Sequence, residues 1–302
     1  MTPSERLKGI EAFVATADAG SFTAAASRLN LTNSAVGKAI ARLEARLNAR
    51  LFERTTRRMM LTEAGAAFYT VCVRVLGDLE AAEQAMAAEQ LTPSGRLRVD
   101  LPATFGRLKV MPVLLAFGKQ FPAVRLHVSF TDRFVDVVED GIDVAVRIGG
   151  PDTAPAGLSQ RLLGTERLIF CASPDYLARR GTPDDTNALA AHDAVTYGLA
   201  DGTTSAWRIA NVSGGIERRA VHGKIVVGNA EAQVSAVAAG WGVAQMATWL
   251  VDDALREQRV IQVLPDHTVD GLPLYLVWPG SRERLPKVER LLTTLEQGLS
   301  MV

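Results

Sequence analysis

Apolar residues repeat at steps of three and four residues in two short segments near the start of the chain. The first segment follows Ser21, a residue type that favours the N-cap of a helix. Its spaced apolar positions are Phe22, Ala25, Ala26 and Leu29. Asn30 and Leu31 then break the pattern. The spacing therefore predicts a helix of about two turns that buries one face.

A second helix is predicted directly after this break. Thr32 can cap it, and the apolar stripe that is expected to be buried comprises Val36, Ile40, Leu43 and Leu47. Five polar side chains then fall on other faces, namely Asn33, Ser34, Lys38, Arg42 and Arg46. The two segments therefore predict a pair of packed helices, of which the second presents a polar and mostly basic side to solvent.

Basic residues are concentrated around and after the second helix. Residues 28–58 contain eight Lys or Arg and two Asp or Glu, a local balance of +6 in a chain of zero formal net charge. The segment after the helix carries Arg50, Arg54, Thr55, Thr56, Arg57 and Arg58. Solvated arginines on a small helical bundle are the alternative, but a surface that is merely soluble mixes both signs. The arrangement predicts a polyanionic partner, and double-stranded DNA fits it.

A helix pair followed by a basic wing is typical of a helix-turn-helix that reads DNA. The second helix of such a motif enters the major groove with its first turn against base edges. We expect Asn33 and Ser34 to contact bases, and Lys38 and Arg42 to contact phosphates. Ser21, at the start of the first helix, is a further candidate contact.

The segment from Ile10 to Gly65 resembles the winged helix-turn-helix of LysR-type transcriptional regulators. The resemblance rests on EAFVATADAGSFTAAASRLNLT, AVGKAIARLEARLNARLFERTTR and LTEAG, and it continues through the rest of the chain. It implies DNA contacts by Thr32, Asn33, Ser34, Lys38, Arg54, Thr55, Arg57 and Arg58. Two positions depart from the family pattern, since Gly37 stands where serine is frequent and Asn48 where glycine is usual. Because Asn tolerates the left-handed conformation, we expect the turn at Asn48 to survive.

Residues 64–89 predict one long helix with a narrow apolar seam. Its apolar positions follow alternating steps of four and three and comprise Phe68, Cys72, Val75, Leu79, Ala82 and Met86. This spacing predicts a coiled coil, whereas a helix that faces its own domain core, the alternative, would show a wider stripe. The family resemblance implies antiparallel pairing of this helix across a homodimer, with a dimer of dimers as the larger assembly. Two-fold symmetry in turn predicts an inverted-repeat operator.

Strand-like and helix-like segments alternate after a break at residues 91–95. Strands are predicted at 96–100, 125–130, 143–148, 167–172, 194–197, 224–227, 242–246 and 272–278. Helices are predicted at 108–121, 134–139, 174–180, 230–239, 249–256 and 286–299. The alternation predicts two open parallel sheets, joined by two crossovers, with a ligand cleft at their strand ends.

The predicted fold class is multi-domain α + α/β. A winged helix-turn-helix occupies residues 1–62, a long linker and dimerisation helix 63–90, and an effector-binding domain 91–302. The last part resembles the two-lobed periplasmic-binding-protein-like domain of the same regulators. Its lobe I covers about 91–163 and 269–302, and its lobe II covers about 164–268.

A small-molecule effector is expected between the two lobes. Candidate contacts follow predicted strands or begin predicted helices, and they comprise Ala103, Thr104, Phe105, Thr131, Ile148, Gly149, Tyr197, Trp207 and Asn229. Thr104 and Asn229 could equally cap helices, and Tyr197 and Trp207 could equally be core aromatics. Arg147 fits either a ligand carboxylate or an internal salt bridge. Both a polar or carboxylated metabolite and an aromatic one match this set.

Other function classes find little support in the sequence. It contains no Ser/His/Asp triad, GxSxG elbow, phosphate-binding glycine loop or paired-carboxylate motif, so an enzyme is not expected. The four histidines show no ligand spacing, and we expect no metal and no cofactor. Cys72 and Cys171 have apolar neighbours and lie in different predicted domains, which favours two buried thiols over a redox switch.

The sequence also argues against export and membrane insertion. It shows no signal peptide and no run of about 18 apolar residues, which predicts a cytoplasmic location and disfavours a free-standing solute-binding protein. The features together predict a ligand-responsive transcription factor, for which activation and repression are both open. Its candidate partners are double-stranded DNA, a small-molecule effector, a second copy of the chain and RNA polymerase.

Overall fold

Three helices and a two-stranded hairpin form the N-terminal domain. They are α1 (Pro3–Ala19), α2 (Phe22–Leu29), α3 (Asn33–Leu47), β1 (Phe52–Arg54) and β2 (Met59–Leu61). The computed structural model describes residues 3–54, 59–86, 92–133, 135–199, 201–211 and 215–299; the side chains of residues 3–8, 54, 78 and 80–86 lie outside this description. The helices meet around Phe13, Val36 and Ile40, which are fully buried.

The second and third helices begin and end at the residues that the capping pattern predicts. Ser21 Oγ accepts a hydrogen bond from a backbone N–H of the first turn of α2 at 3.5 Å, and Thr32 Oγ1 accepts one from α3 at 3.2 Å. Asn30 ends α2 and Asn48 ends α3, both in the left-handed conformation with φ of 54° and 48°. The predicted caps, the break at Asn30 and the turn at Asn48 are confirmed.

The apolar stripe of α3 is shorter than predicted. Val36, Ile40 and Leu43 are buried, but Leu47 is 37% exposed. Leu47 is the last residue of α3, directly before the left-handed Asn48, where the chain turns away from the helix axis. The prediction that Leu47 is buried is therefore wrong.

The wing is an antiparallel hairpin in which Phe52 of β1 pairs with Leu61 of β2. Glu44 Oε1 accepts backbone hydrogen bonds from Leu51 at 2.8 Å and from Phe52 at 3.3 Å. These bonds fix the start of the hairpin against α3. Residues 55–58, which join the two strands, lie outside the described part of the chain.

The helix α4 (Glu63–Met86) connects the N-terminal domain to the rest of the chain. Its first half packs on the N-terminal core through Phe68 and Cys72. Gly65 makes this close approach possible, because a Cβ there would lie 2.1 Å from the carbonyl oxygen of Leu51. Two residues of the predicted coiled-coil seam are therefore in contact with their own domain.

α4 also carries exposed apolar side chains. Val71, Val75 and Leu79 are 44%, 41% and 38% exposed, and their spacing of four residues places them on one face. The predicted seam residues Ala82 and Met86 have side chains outside the described part of the chain. Three exposed apolar residues on one helix face are the surface that a partner helix would cover.

The C-terminal domain contains eleven strands and six helices within the described residues. The strands are β3 (Gly95–Leu101), β4 (Val124–Phe130), β5 (Val144–Ile148), β6 (Leu158–Ala172), β7 (Val195–Tyr197), β8 (Trp207–Ala210), β9 (Ile216–Arg219), β10 (Ile225–Val227), β11 (Ala244–Ala247), β12 (Ile261–Val263) and β13 (Val269–Pro279). The helices are α5 (Ala103–Phe105), α6 (Met111–Gln120), α7 (Pro174–Arg180), α8 (Ala230–Ala238), α9 (Thr248–Arg256) and α10 (Pro286–Gly298).

One mixed sheet of seven strands runs through both lobes in the order β11-β6-β13-β5-β3-β4, with β12 also paired to β6. β3 is parallel to β4 and β5, whereas β13 is antiparallel to β5 and β6. The two segments that cross between the lobes are therefore β6 and β13, and these two strands pair with each other. The prediction of two separate parallel sheets is wrong, because β6 and β13 continue from one lobe into the other. Smaller parallel (β7 and β10) and antiparallel (β8 and β9) pairs complete the second lobe.

Two predicted helices differ from the observed ones. The described residues 135–141 form turns instead of a helix, because Asp136 Oδ1 accepts the backbone N–H groups of Val138 and Glu139 at 2.9 and 2.8 Å; Phe134 lies outside the described residues. The helix predicted from Leu108 instead begins at Ala103, since α5 continues through a π-helical segment, Gly106–Val110, into α6.

The N-terminal domain and the first lobe meet at Asp18, near the end of α1. Its carboxylate accepts hydrogen bonds from Tyr69 on α4 and from Arg96 on β3, the latter at 3.5 Å. Arg28 on α2 also pairs with Asp18, at 3.3 Å. A single carboxylate therefore joins two helices of the N-terminal domain, the linker helix and the first strand of the C-terminal domain.

Candidate DNA-binding surface and effector cleft

The polar side of α3 is exposed as one continuous strip. Asn33, Ser34, Lys38 and Arg42 are all exposed, and the last three follow one another at steps of four residues. Within the described ranges, neither Lys38 nor Arg42 forms an ion pair with an acidic side chain. The strip therefore presents uncompensated positive charge beside the polar first turn of α3.

Asn33 also links the two helices of the motif. Its Nδ2 donates a hydrogen bond to Thr23 Oγ1 on α2 at 3.1 Å. Sequence reasoning missed this partner, because a contact between α2 and α3 leaves no signal in the spacing of either helix. The bond holds the Asn33 amide at the exposed start of α3.

The remaining predicted DNA contacts fall into two groups. Ser21 and Thr32 are the N-caps of α2 and α3, so their hydroxyl oxygens lie at the N-terminal ends of both helices. Such ends favour anionic groups because their backbone N–H groups point outward. The other residues lie outside the described residues or have undescribed side chains, namely Arg54, Thr55, Arg57 and Arg58.

The predicted effector contacts of the first lobe lie at the carboxyl ends of three neighbouring strands. Ala103, Thr104 and Phe105 follow β3, Thr131 follows β4, and Ile148 and Gly149 end and follow β5. β3 is parallel to both of its neighbours, so the structure brings these ends together at one edge of the sheet. Asp132 Oδ1 accepts the backbone N–H of Ala103 at 2.9 Å, so an aspartate, and not Thr104, caps the helix that starts there.

The second lobe contributes fewer of its predicted contacts. Tyr197 ends β7, and Asn229 Oδ1 caps α8 by accepting a backbone N–H at 2.9 Å. Trp207 is 4% exposed and packs edge-on against Phe170, with 5.2 Å between ring centroids. Trp207 therefore lies in the hydrophobic core of the second lobe, whereas Tyr197 and Asn229 remain accessible.

The two lobes contact each other across the cleft. Arg107 of the first lobe forms an ion pair with Glu231 in the first turn of α8. Phe105 and Trp249 pack edge to face across the gap at 5.0 Å. Phe105 is 1% exposed and belongs to the hydrophobic core of the first lobe. The N-terminal turns of two helices, α5 with its continuation and α8, are thereby brought to the same cleft.

The closeness of the two lobes affects the pKa of Tyr197. Burial raises the pKa of Tyr197, and the negative charge of Asp132 from the opposite lobe adds to the rise. Tyr197 is therefore a neutral phenol at neutral pH and can donate a hydrogen bond. Together with the N-terminus of α8, this donor can hold a polar group of a small ligand.

Arg147 forms the internal salt bridge that the sequence left as one of two alternatives. Its Nη1 donates to Asp100 Oδ2 at 2.7 Å, and the side chains of Arg147 and Asp100 are 9% and 2% exposed. Ser129 Oγ donates to the other carboxylate oxygen at 2.5 Å. The pair lies inside the first lobe and joins β5 to β3.

Neither cysteine nor any acidic or histidine cluster adds further chemistry to the described residues. Burial raises the pKa of Cys72 to about 11 and that of Cys171 to about 12, so both thiols are protonated at neutral pH. Among the described residues, no group of three or more His, Cys, Asp and Glu side chains could hold a metal ion. No helix in the described part of the chain has the length and apolar character needed to cross a membrane.

An exposed, basic recognition helix in one domain and a ligand cleft in another define a DNA-binding protein with a small-molecule-binding domain. Residues 7–66 match the family model of the bacterial regulatory helix-turn-helix protein, lysR family. Residues 90–300 match that of the LysR substrate binding domain. The chain belongs to the LysR family of transcriptional regulators.

Individual relatives agree with this assignment. CrgA from Neisseria meningitidis serogroup C is 33% identical over 258 residues, which cover 85% of this chain and 85% of CrgA. PtxR from Pseudomonas aeruginosa is 33% identical over 299 residues, which cover 97% of this chain and 93% of PtxR. Both are HTH-type transcriptional regulators.

Solved structures show the same architecture. CrgA from Neisseria meningitidis, a LysR-type transcriptional regulator, matches with a TM-score of 0.62 at 29% identity, over 97% of this chain and 99% of that chain. Full-length AphB, a virulence activator of Vibrio cholerae, matches with a TM-score of 0.61 at 24% identity, over 97% of this chain and 99% of that chain. The AphB match supports the fold alone.

Proposed function

We propose that the protein binds an inverted-repeat operator through two copies of α3 and that a small-molecule effector in the cleft controls this binding. The exposed strip of α3 carries the proposal. Lys38 and Arg42 stand there without acidic partners in the described ranges, next to the short polar side chains of Asn33 and Ser34. Such a helix fits the major groove, with its first turn at base edges.

The proposed contacts divide by chemistry. Asn33 and Ser34 read bases, while Lys38 and Arg42 bind phosphate oxygens and set the register. The remaining proposed DNA contacts are Ser21, Thr32, Arg54, Thr55, Arg57 and Arg58. Phosphate contacts supply affinity for any duplex, and only base contacts distinguish an operator from other DNA.

Dimerisation is proposed through α4. Val71, Val75 and Leu79 form an exposed apolar face that a second copy of this helix would bury. The predicted seam also includes Phe68, Cys72, Ala82 and Met86, of which the first two pack on the N-terminal core. A two-fold dimer presents its recognition helices to two half-sites, which supports an inverted repeat, and a dimer of dimers would span two such sites.

The effector is proposed to bind between Thr104, Thr131 and Gly149 of the first lobe and Tyr197 and Asn229 of the second. Further proposed contacts are Ala103, Phe105 and Ile148, whereas Trp207, which lies in the core of the second lobe, is not among them. A small polar ligand fits the N-terminus of α8 and the Tyr197 hydroxyl. The effector can alter operator binding only if it prefers one arrangement of the lobes and DNA-binding domains over another.

The proposed role is to regulate transcription by binding DNA and an effector, without catalysis. The proposed location is the cytoplasm. Its relatives CrgA and PtxR are transcriptional regulators. RNA polymerase is a proposed further partner if the protein activates transcription.

Fluorescence anisotropy with DNA from upstream of the protein's own gene tests the proposal against a shuffled duplex of the same composition. At about 50 mM and about 200 mM salt, we expect a preference for the native fragment of about 10³ or more, with both affinities falling as salt rises. Equal and weak binding to both duplexes at both salt concentrations would contradict specific recognition of this fragment.

Four variants separate the proposed roles of α3. Asn33→Ala should weaken operator binding by roughly 1 to 3 kcal/mol and leave binding to the shuffled duplex unchanged. Thr23→Val, which removes the same hydrogen bond but keeps the Asn33 amide, should have a smaller effect. Lys38→Ala should weaken binding to both duplexes and reduce the slope of log affinity against log salt by about 0.9. Lys119→Ala, an exposed lysine on α6, is the charge-matched control. Equal losses on both duplexes for Asn33→Ala would exclude base reading by this residue.

A further inference from the structure

A second cavity lies where the N-terminal domain, the linker helix and the first lobe meet. Its volume is about 180 Å³. One water occupies about 30 Å³ in the liquid, so a small metabolite fits. α1 and α2 contribute Asp18 and Arg28, and the first lobe contributes Arg96, Arg98 and Lys287.

This cavity is separate from the effector cleft. Arg96 and Arg98 lie near the start of β3, and Arg125 lies at the start of β4. The proposed effector contacts lie at the opposite ends of the same strands. A strand of seven residues spans about 20 Å, so the two sites are about that distance apart.

The charge on the cavity walls is strongly positive. Six basic side chains face three acidic ones, an excess of three positive charges. Asp18 is shared between Arg28 and Arg96, and Asp143 is bound by Arg282 at 2.8 Å. Within the described ranges, the three basic residues without an ion pair are Arg98, Arg125 and Lys287.

Two buried groups at this cavity lack the partners that buried polar groups normally have. Lys287, at the start of α10, is 3% exposed and makes no hydrogen bond or ion pair within the described part of the chain. Arg96 Nε is buried and has no hydrogen-bond acceptor in the same part. The Lys287 ammonium borders the cavity without a counter-charge, and an anion there would supply one.

We propose that this interdomain cavity binds a small, multiply charged anion with carboxylate or phosphate oxygens, held by Lys287, Arg98 and Arg125. The oxygens of such an anion accept hydrogen bonds from ammonium and guanidinium groups. These three residues belong to the first lobe, and Glu11, Asp18 and Arg28 of the N-terminal domain form the opposite wall, so the affinity for the anion depends on how the N-terminal domain is placed on the first lobe. Its occupancy is therefore coupled to the placement of α3 on DNA.

Isothermal titration calorimetry of the full-length protein tests this proposal with two probes, citrate and inorganic phosphate, at constant ionic strength set with chloride. We expect saturable binding of at least one probe, with one site per chain; the probe that binds identifies the chemistry. Lys287→Met should weaken this binding by about tenfold or more, as the loss of one charge-assisted hydrogen bond does.

Three further variants keep the outcome decisive. Arg125→Gln, at an exposed position, should fold normally and also weaken binding. Lys119→Met, the matched control on α6, should leave it unchanged. Asn229→Ala tests the effector cleft. A loss of anion binding in this variant without a loss in Lys287→Met would place the anion in the effector cleft and would contradict the proposal. No saturable binding of either probe, or unchanged affinity in both Lys287→Met and Arg125→Gln, would overturn the proposal.

Discussion

The ion pair between Arg147 and Asp100 gives the sharpest test of how the first lobe is stabilised. Arg147→Met removes the guanidinium but keeps an unbranched side chain of similar length. Asp100, which is 2% exposed, then keeps only the Ser129 hydroxyl as a partner for its carboxylate. The substitution therefore leaves a buried negative charge without its counter-charge.

The expected cost follows from this geometry. Breaking a buried ion pair by removing one partner costs about 3 to 5 kcal/mol, much more than an exposed pair contributes. The double variant with Asp100→Asn removes both charges, so it should recover about 2 kcal/mol of that loss. Asp100→Asn alone leaves the buried Arg147 guanidinium without its counter-charge and should also destabilise the protein.

Urea unfolding followed by tryptophan fluorescence measures these changes, because Trp278 lies in the core of the first lobe at 2% exposure. The double-mutant cycle gives the coupling energy directly. A loss below about 1 kcal/mol for Arg147→Met, with no recovery in the double variant, would refute the reasoning. Unchanged stability together with weaker effector binding would assign Arg147 to a ligand carboxylate instead.

Three further predictions concern single buried groups. Leu43→Ala should destabilise the N-terminal domain by about 2 to 5 kcal/mol in urea unfolding, whereas Leu47→Ala, at an exposed position, should cost less than about 1 kcal/mol. Cys72 and Cys171, whose pKa values are raised by burial, should react with a thiol reagent at pH 7 only after urea unfolding. Burial raises the pKa of Glu166, so the folded state binds this proton more tightly than the unfolded state. The contribution of Glu166 to stability should therefore fall as pH rises above the ordinary pKa of a glutamate, and Glu166→Gln should remove this part of the pH dependence of Tm.

Local features of the sequence predicted local structure well. The caps at Ser21 and Thr32, and the left-handed ends at Asn30 and Asn48, depend on one residue and its neighbours. Such signals are readable because capping requires particular side chains at particular steps. The strip on α3 followed from the same helical spacing.

Features that join distant segments could not be read in this way. Asp18 and Arg96 are 78 residues apart, and no spacing rule connects them. The pairing of β6 with β13 was missed for the same reason, since each strand alone fits either lobe. The position of Trp207 could not be predicted for a different reason. An indole ring suits a hydrophobic core and a ligand cleft equally, and only the contact with Phe170 places Trp207 in the core.

The pairing of β6 with β13 also sets an order for assembly during synthesis. β5 of the first lobe pairs with β13, which leaves the ribosome more than a hundred residues later. The second lobe lies between them in the chain, so most of it is complete while the first lobe still lacks a strand from the middle of its sheet. Until β13 arrives, β5 and β6 both present unpaired edges, and such edges can pair with other nascent chains. These edges stay open until β13 has been synthesised and has paired with both strands.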